Sequence, residues 1–160
     1  MASFTLDDCA ASKSPGRLVR RVAKLTTSYV ESLFDGVDLS FVQWVALKVI
    51  RDGLVTNAGE LSRELGITSG ATTRLIDGLE ERGLLERDRC CEDRRVVKVA
   101  VTDSGRDAVV RLGARVVDAW NLLIADLDQR EAEAFVATLT KMLATAERLT
   151  DDIRQVEAAE

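Results

Sequence analysis

The sequence contains no histidine, one proline and few aromatic residues, which make up 4% of its 160 positions. The missing imidazole removes the usual general base near neutral pH and the commonest metal ligand. It also removes the Ser-His and Cys-His pairs of nucleophilic catalysis. No run of 18 or more apolar residues occurs, so no membrane-spanning helix is expected. The N-terminal stretch lacks a basic segment followed by an apolar one, so no secretory signal is read there and a cytoplasmic address is expected. Three cysteines, Cys9, Cys90 and Cys91, are too few and too oddly spaced for a disulfide framework. There is no Cys-X-X-Cys, which argues against a thiolate metal site. No Gly-rich phosphate loop or paired-carboxylate site stands out either, so neither an enzyme nor a bound cofactor is expected.

What is present suits one soluble domain with helical additions. Hydrophobic residues make up 46% of the chain and charged residues 31%, enough to bury a core. The pattern predicts a mainly α fold with a small β-wing, an α+β arrangement. Ser14-Pro15 opens a first helix, with Leu18, Val22, Leu25, Tyr29 and Leu33 at helical spacing to about Phe34. Ser40 and Gln43 form a capping box for a second helix that Gly53 stops. Leu54 to Thr56 can form a short strand. Asn57 with Glu60 opens a brief third helix, turned at Gly66. Thr68 caps a fourth, whose inward stripe is Thr72, Leu75, Ile76 and Leu79. Leu84 to Asp88 and Val96 to Thr102 read as two strands, the second alternating as a half-buried strand does. Thr102 opens a long fifth helix, and Asp128 with Glu131 opens a sixth.

A helix, a tight turn, a second helix and a charged hairpin are the parts of a winged helix-turn-helix, which places one helix in a DNA major groove. Ser69, Gly70, Thr73 and Arg74 supply the small and polar N-terminal face that such a helix needs. Arg74 can pair bidentately with a guanine edge; a helix-face salt bridge to Asp77 is the competing reading. Arg89, Arg94 and Arg95 lie on the hairpin, where a wing meets phosphates or the minor groove. The net charge of −5 opposes DNA binding. Residues 57–95 hold seven Arg against nine Asp or Glu, so the reading requires charge to be segregated by face. Glu80 and Glu81 at the C-terminal end of the fourth helix fit that segregation.

The motifs Leu65-Gly66, Thr73-Arg74-Leu75-Ile76-Asp77, Leu79-Glu80-Glu81-Arg82-Gly83-Leu84, Asp93-Arg94-Arg95 and Thr102-Asp103-Ser104-Gly105 together resemble the MarR family of transcriptional regulators. The helix order on either side is similar too, so the resemblance spans nearly the whole chain. It implies a homodimer on a pseudo-palindromic operator, usually as a repressor, with wing contacts from Arg94 and with Asp93 holding the wing arginines. Residues 37–102 would be the DNA-binding region, and residues 1–36 and 103–160 the helical dimerisation region. Two long amphipathic helices and an N-terminal one exceed what covering a small winged module requires, which independently points to a two-fold dimer. The chain departs from the family pattern at Gly78, inside the recognition helix, and at Cys90-Cys91, in the wing.

Three signals can be weighed. The resemblance implies a pocket for a small organic effector, often an aromatic acid, where the helical layer meets the winged module. Tyr29, Phe41 and Trp44 can stack a ring, and Arg17, Arg20, Arg21 or Lys24 can pair a carboxylate; the bland alternatives are a core tryptophan and a solvated basic face. Thiol redox sensing is the second signal. Cys90 and Cys91 sit among Arg89, Arg94 and Arg95, which lower a thiol pKa, while Asp88, Glu92 and Asp93 oppose this. Adjacent cysteines close a strained ring, so a sulfenic acid or an intersubunit bridge would be the product; inert thiols are the plain reading. A thiolate-bound metal is the third and weakest. A winged protein-interaction module without DNA binding is the alternative of a different class.

Overall fold

A computed structural model describes Phe4 and residues 14–88 and 98–157. Along these residues the order is α1 (Pro15–Ser32), α2 (Phe41–Arg51), α3 (Ala58–Leu65), α4 (Ser69–Glu81), β1 (Leu85–Asp88), β2 (Lys98–Val101), α5 (Asp103–Leu123) and α6 (Gln129–Glu157). The chain divides into two compact units, residues 1–119 and 120–160, with the boundary inside α5.

In the first unit the helices start where short-range capping directs them. Ser40 accepts from the Gln43 N–H at 3.3 Å, while the Gln43 side chain accepts from the Ser40 N–H at 2.9 Å, a complete capping box. Ser14 holds the cap position of α1 without a side-chain bond, and that helix stops two residues before Phe34. Asn57 accepts from the Glu60 N–H at 3.0 Å. The reciprocal arm differs from the expected box: the Glu60 carboxylate reaches past Asn57 to the Thr56 N–H at 2.6 Å and hydroxyl at 3.0 Å. That contact also explains why Leu54 to Thr56 is not a strand. The Thr56 N–H is committed to Glu60, leaving its carbonyl to accept from the Val99 N–H at 2.9 Å, beside a single bridge between Asn57 and Lys98.

β1 and β2 pair antiparallel, with Leu85 opposite Val101 and Arg87 opposite Val99. Leu85, Val99 and Val101 turn inward and join Trp44, Leu47 and Ile50 of α2, Leu61 of α3, Ile76 and Leu79 of α4, and Val109, Leu112 and Val116 of α5 in one core. Val30 and Phe34 close it from the α1 side. Thr102 joins β2 to α5: its hydroxyl donates to the Gly83 carbonyl at 2.6 Å and accepts from the Gly105 N–H at 3.1 Å. Gly105 then passes so close to the Leu84 carbonyl and the Val101 side chain that a Cβ there would collide with both.

The second unit begins at Trp120. Asp128 and Glu131 form the expected capping box, at 2.8 and 2.9 Å, and start α6. Among its described residues α6 buries no side chain fully, and Leu139, Met142, Leu143, Leu149 and Ile153 are exposed. Trp120, Ile124, Phe135 and Val136 line an open apolar cavity of about 620 Å³. No helix among the described residues is long and apolar enough to cross a membrane.

Candidate nucleic-acid interface

The exposed face of α4 is the centre of the site. Gly66, at φ +63°, takes the left-handed conformation that lets the chain leave α3 and turn, a conformation that side chains with a Cβ rarely adopt. Thr68 then caps α4 by accepting from the Ala71 N–H at 3.3 Å. Thr72, Ile76 and Leu79 anchor the inner face, and the buried Thr72 hydroxyl is satisfied by the Thr68 carbonyl at 3.0 Å. The outer face at the N-terminal end therefore consists of Ser69, Gly70, Thr73 and Arg74, all exposed. Thr73 donates its hydroxyl to the Ser69 carbonyl at 3.0 Å, so its oxygen remains free to accept from an incoming donor. A Cβ on Gly70 would meet nothing within 4 Å. This end of the helix is open to close approach by a partner.

Arg74 forms no ion pair among the described residues. The alternative expected from spacing, a pair with Asp77, is replaced by a contact from the sheet. Arg87 on β1 donates from Nη2 to Asp77 at 2.5 Å, and from Nη1 it also binds Glu80. The guanidinium pKa is raised further by these partners, chiefly by the hydrogen bond to Asp77. Arg87 was not singled out from sequence. The signal for it was present in the strand period: Leu85 points into the core, and a residue two positions on lies on the same face of the strand, against α4.

Past the C-terminal end of α4, Arg82 reaches the segment that precedes α2. It contacts the Asp38 carboxylate at 3.0 Å and the Asp38 carbonyl, and Gln43 at 3.4 Å. Beside it lies an open cavity of about 350 Å³ lined by Val37, Asp38, Leu39, Arg82, Leu84 and Arg111, among others. Arg111 forms no ion pair among the described residues.

Of the residues weighed for a ring and a carboxylate, two are in contact. Phe41 and Trp44 stack, with centroids 6.0 Å apart and planes 17° apart, and Phe34 tilts against both. Trp44 is only 5% exposed, and its indole N–H donates to the Val109 carbonyl at 3.1 Å. Tyr29 is exposed, one residue before the buried Val30. Arg17, Arg20, Arg21 and Lys24 are exposed further back along α1; Arg21 lies roughly 14 Å before Val30 at the rise of an α-helix. Arg89, Arg94, Arg95, Asp93, Cys9, Cys90 and Cys91 lie outside the described residues.

Residues 39–97 match the family model described as MarR family. That stretch is similar to the MarR family. The mainly helical architecture with one small antiparallel sheet is the winged-helix fold of MarR-family regulators. The apo form of wild-type MarR from E. coli is similar over 81% of this chain and 96% of its own, at 27% identity and a TM-score of 0.69. A MarR-family transcriptional regulator from Silicibacter pomeroyi matches 89% of this chain and 96% of its own, at 24% identity and a TM-score of 0.74. MepR from S. aureus, in complex with DNA, matches 82% of this chain and 98% of its own, at 23% identity and a TM-score of 0.66. At those identities the last two establish the shared fold. The matched range spans α2, α3, α4 and β1, and within it α4 carries the exposed Ser69, Gly70, Thr73 and Arg74.

Proposed function

We propose that this protein is a sequence-specific DNA-binding transcriptional regulator, a repressor that works as a homodimer on a pseudo-palindromic operator. The observation that carries this reading is the exposed Arg74, which forms no ion pair among the described residues. It shares one open helix end with Ser69, Gly70 and Thr73, on a helix whose other face is locked into the core. Arg74 reads a base edge, Ser69 and Thr73 meet phosphates or bases, and Arg89, Arg94 and Arg95 of the wing hold the neighbouring backbone. Residues 37–102 form the DNA-binding region.

Residues 1–36 and 103–160 form the dimerisation region. Its support is apolar surface that a single chain leaves exposed: Leu18, Val22 and Leu25 on α1, and Leu139, Leu143 and Ile153 on α6. Exposed apolar stripes of this kind mark an interface. The protein acts without catalysis. Repression is relieved by a small organic anion of the aromatic-acid class. Its site is the cavity beside Arg82 and Arg111, where Leu39, Leu84 and Leu112 stand beside the Arg111 guanidinium, which has no ion pair among the described residues, while Asp38 on the same wall is held by Arg82. Binding there favours one spacing of the two recognition helices over another.

Substitution of Arg74 tests the reading. Arg74→Ala should cost about 1–3 kcal/mol on the operator and much less on random duplex, because a bidentate base contact is lost. Equal losses on both would remove Arg74 as a base reader.

A further inference from the structure

The outer stripe of α4 does not stop at Arg74. Continuing at helical spacing it meets Asp77, and Glu80 stands one turn further along, three residues from Asp77. A recognition helix with two free carboxylates this close to its reading end would repel the phosphates it must approach. Both carboxylates are taken by one side chain, Arg87, which comes from the sheet rather than from the helix. The Arg87 side chain is 20% exposed, so solvent and salt screen this contact less than they would a surface pair. Its backbone is fixed by the ladder opposite Val99 and by the buried Leu85 two residues earlier.

Resting on the DNA-binding reading above, we propose that Arg87 is a positioning residue for DNA recognition: its single positive charge offsets half the charge of Asp77 and Glu80, and its fork ties the recognition helix to β1. Arg87 does not touch DNA. Its fork binds two separate carboxylates through two nitrogens, which a lysine, with a single ammonium, reproduces poorly. The outcome is a helix that presents Arg74 and the small residues to the groove beside a weaker negative field than two unpaired carboxylates would give.

The test is binding of the full chain to its own upstream duplex, followed by fluorescence anisotropy at two salt concentrations. Arg87→Gln should weaken binding about tenfold at about 0.05 M salt and by about threefold or less at about 0.3 M, because repulsion from the released carboxylates is screened. The triple variant Arg87→Gln, Asp77→Asn, Glu80→Gln should recover wild-type affinity or better, because the carboxylates are gone. A salt-dependent loss that the triple variant does not restore would show direct phosphate contact by Arg87 and overturn the proposal. A loss independent of salt, or no loss, overturns it as well. Should Arg87→Gln fail to fold, Glu80→Gln alone is predicted to tighten low-salt binding, and unchanged affinity would count against the proposal. Wild-type protein that binds no duplex would instead defeat the DNA-binding reading itself, a result distinct from any of these.

Discussion

The indole N–H of Trp44 donates to the carbonyl of Val109 at 3.1 Å, joining α2 to α5 across 65 positions of sequence. This bond and the rings of Phe34 and Phe41 around it pin α2 to α5 within the first unit. A buried indole needs a partner for its donor, and Val109 supplies it. Trp44→Phe should cost about 1–2 kcal/mol, combining a lost hydrogen bond with a small void. Urea unfolding followed by circular dichroism measures the cost, and a loss below about 0.5 kcal/mol would mean that the bond contributes little.

Two glycines predict opposite outcomes. A Cβ at Gly105 would strike the Leu84 carbonyl, which is backbone and cannot swing away, and would press on Val101. Gly105→Ala should therefore destabilise the fold by about 1–3 kcal/mol. Gly78 lies inside α4, and a Cβ there would meet nothing within 4 Å. Gly78→Ala should stabilise the protein by about 0.5–1 kcal/mol through helix propensity alone. Paired thermal melts check both, and a stabilising Gly105→Ala would contradict the packing at the start of α5.

The Glu60 carboxylate is held below its ordinary value of 4.5, first by the Thr56 backbone N–H and then by the Thr56 hydroxyl. A folded-state pKa that is depressed contributes stability above the unfolded value, and that contribution disappears as pH falls through the folded one. Glu60→Gln should thus be less stable than wild type at neutral pH, with the gap narrowing as pH drops below 4.5. Melting temperatures at about pH 7 and about pH 3 compare the two proteins. A gap that is the same at both would show that the charge of Glu60 plays no part in the cap.

The helical framework was legible because its signals are local. Ser40, Thr68, Thr102 and Asp128 each cap a helix by accepting from a backbone N–H three residues on, a relation that spacing alone exposes. The alternation of Val99 and Val101 announced β2 for the same reason. Spacing misled where a residue had a choice of partner. Asp77 stands three residues from Arg74, yet a strand residue ten positions on takes it, because β1 packs beside α4. Glu60 bonds Thr56 rather than completing the box with Asn57, and in doing so removes the donor that a strand at Leu54 to Thr56 would need. Burial was not legible either: Trp44 is buried, while Arg17, Arg20 and Arg21 lie on an exposed stretch of α1. No periodicity in one helix reports what its neighbours will cover.

The most direct measurement is the binding of the wild-type protein to the DNA upstream of its own coding sequence, read by fluorescence anisotropy with random duplex as competitor and salt as the variable. The account predicts tight binding that resists the competitor and falls steeply as salt rises, with weak attachment to random duplex because the net charge is −5. Absence of binding at low salt, with and without small aromatic acids, would contradict it and leave a winged module that recognises another protein.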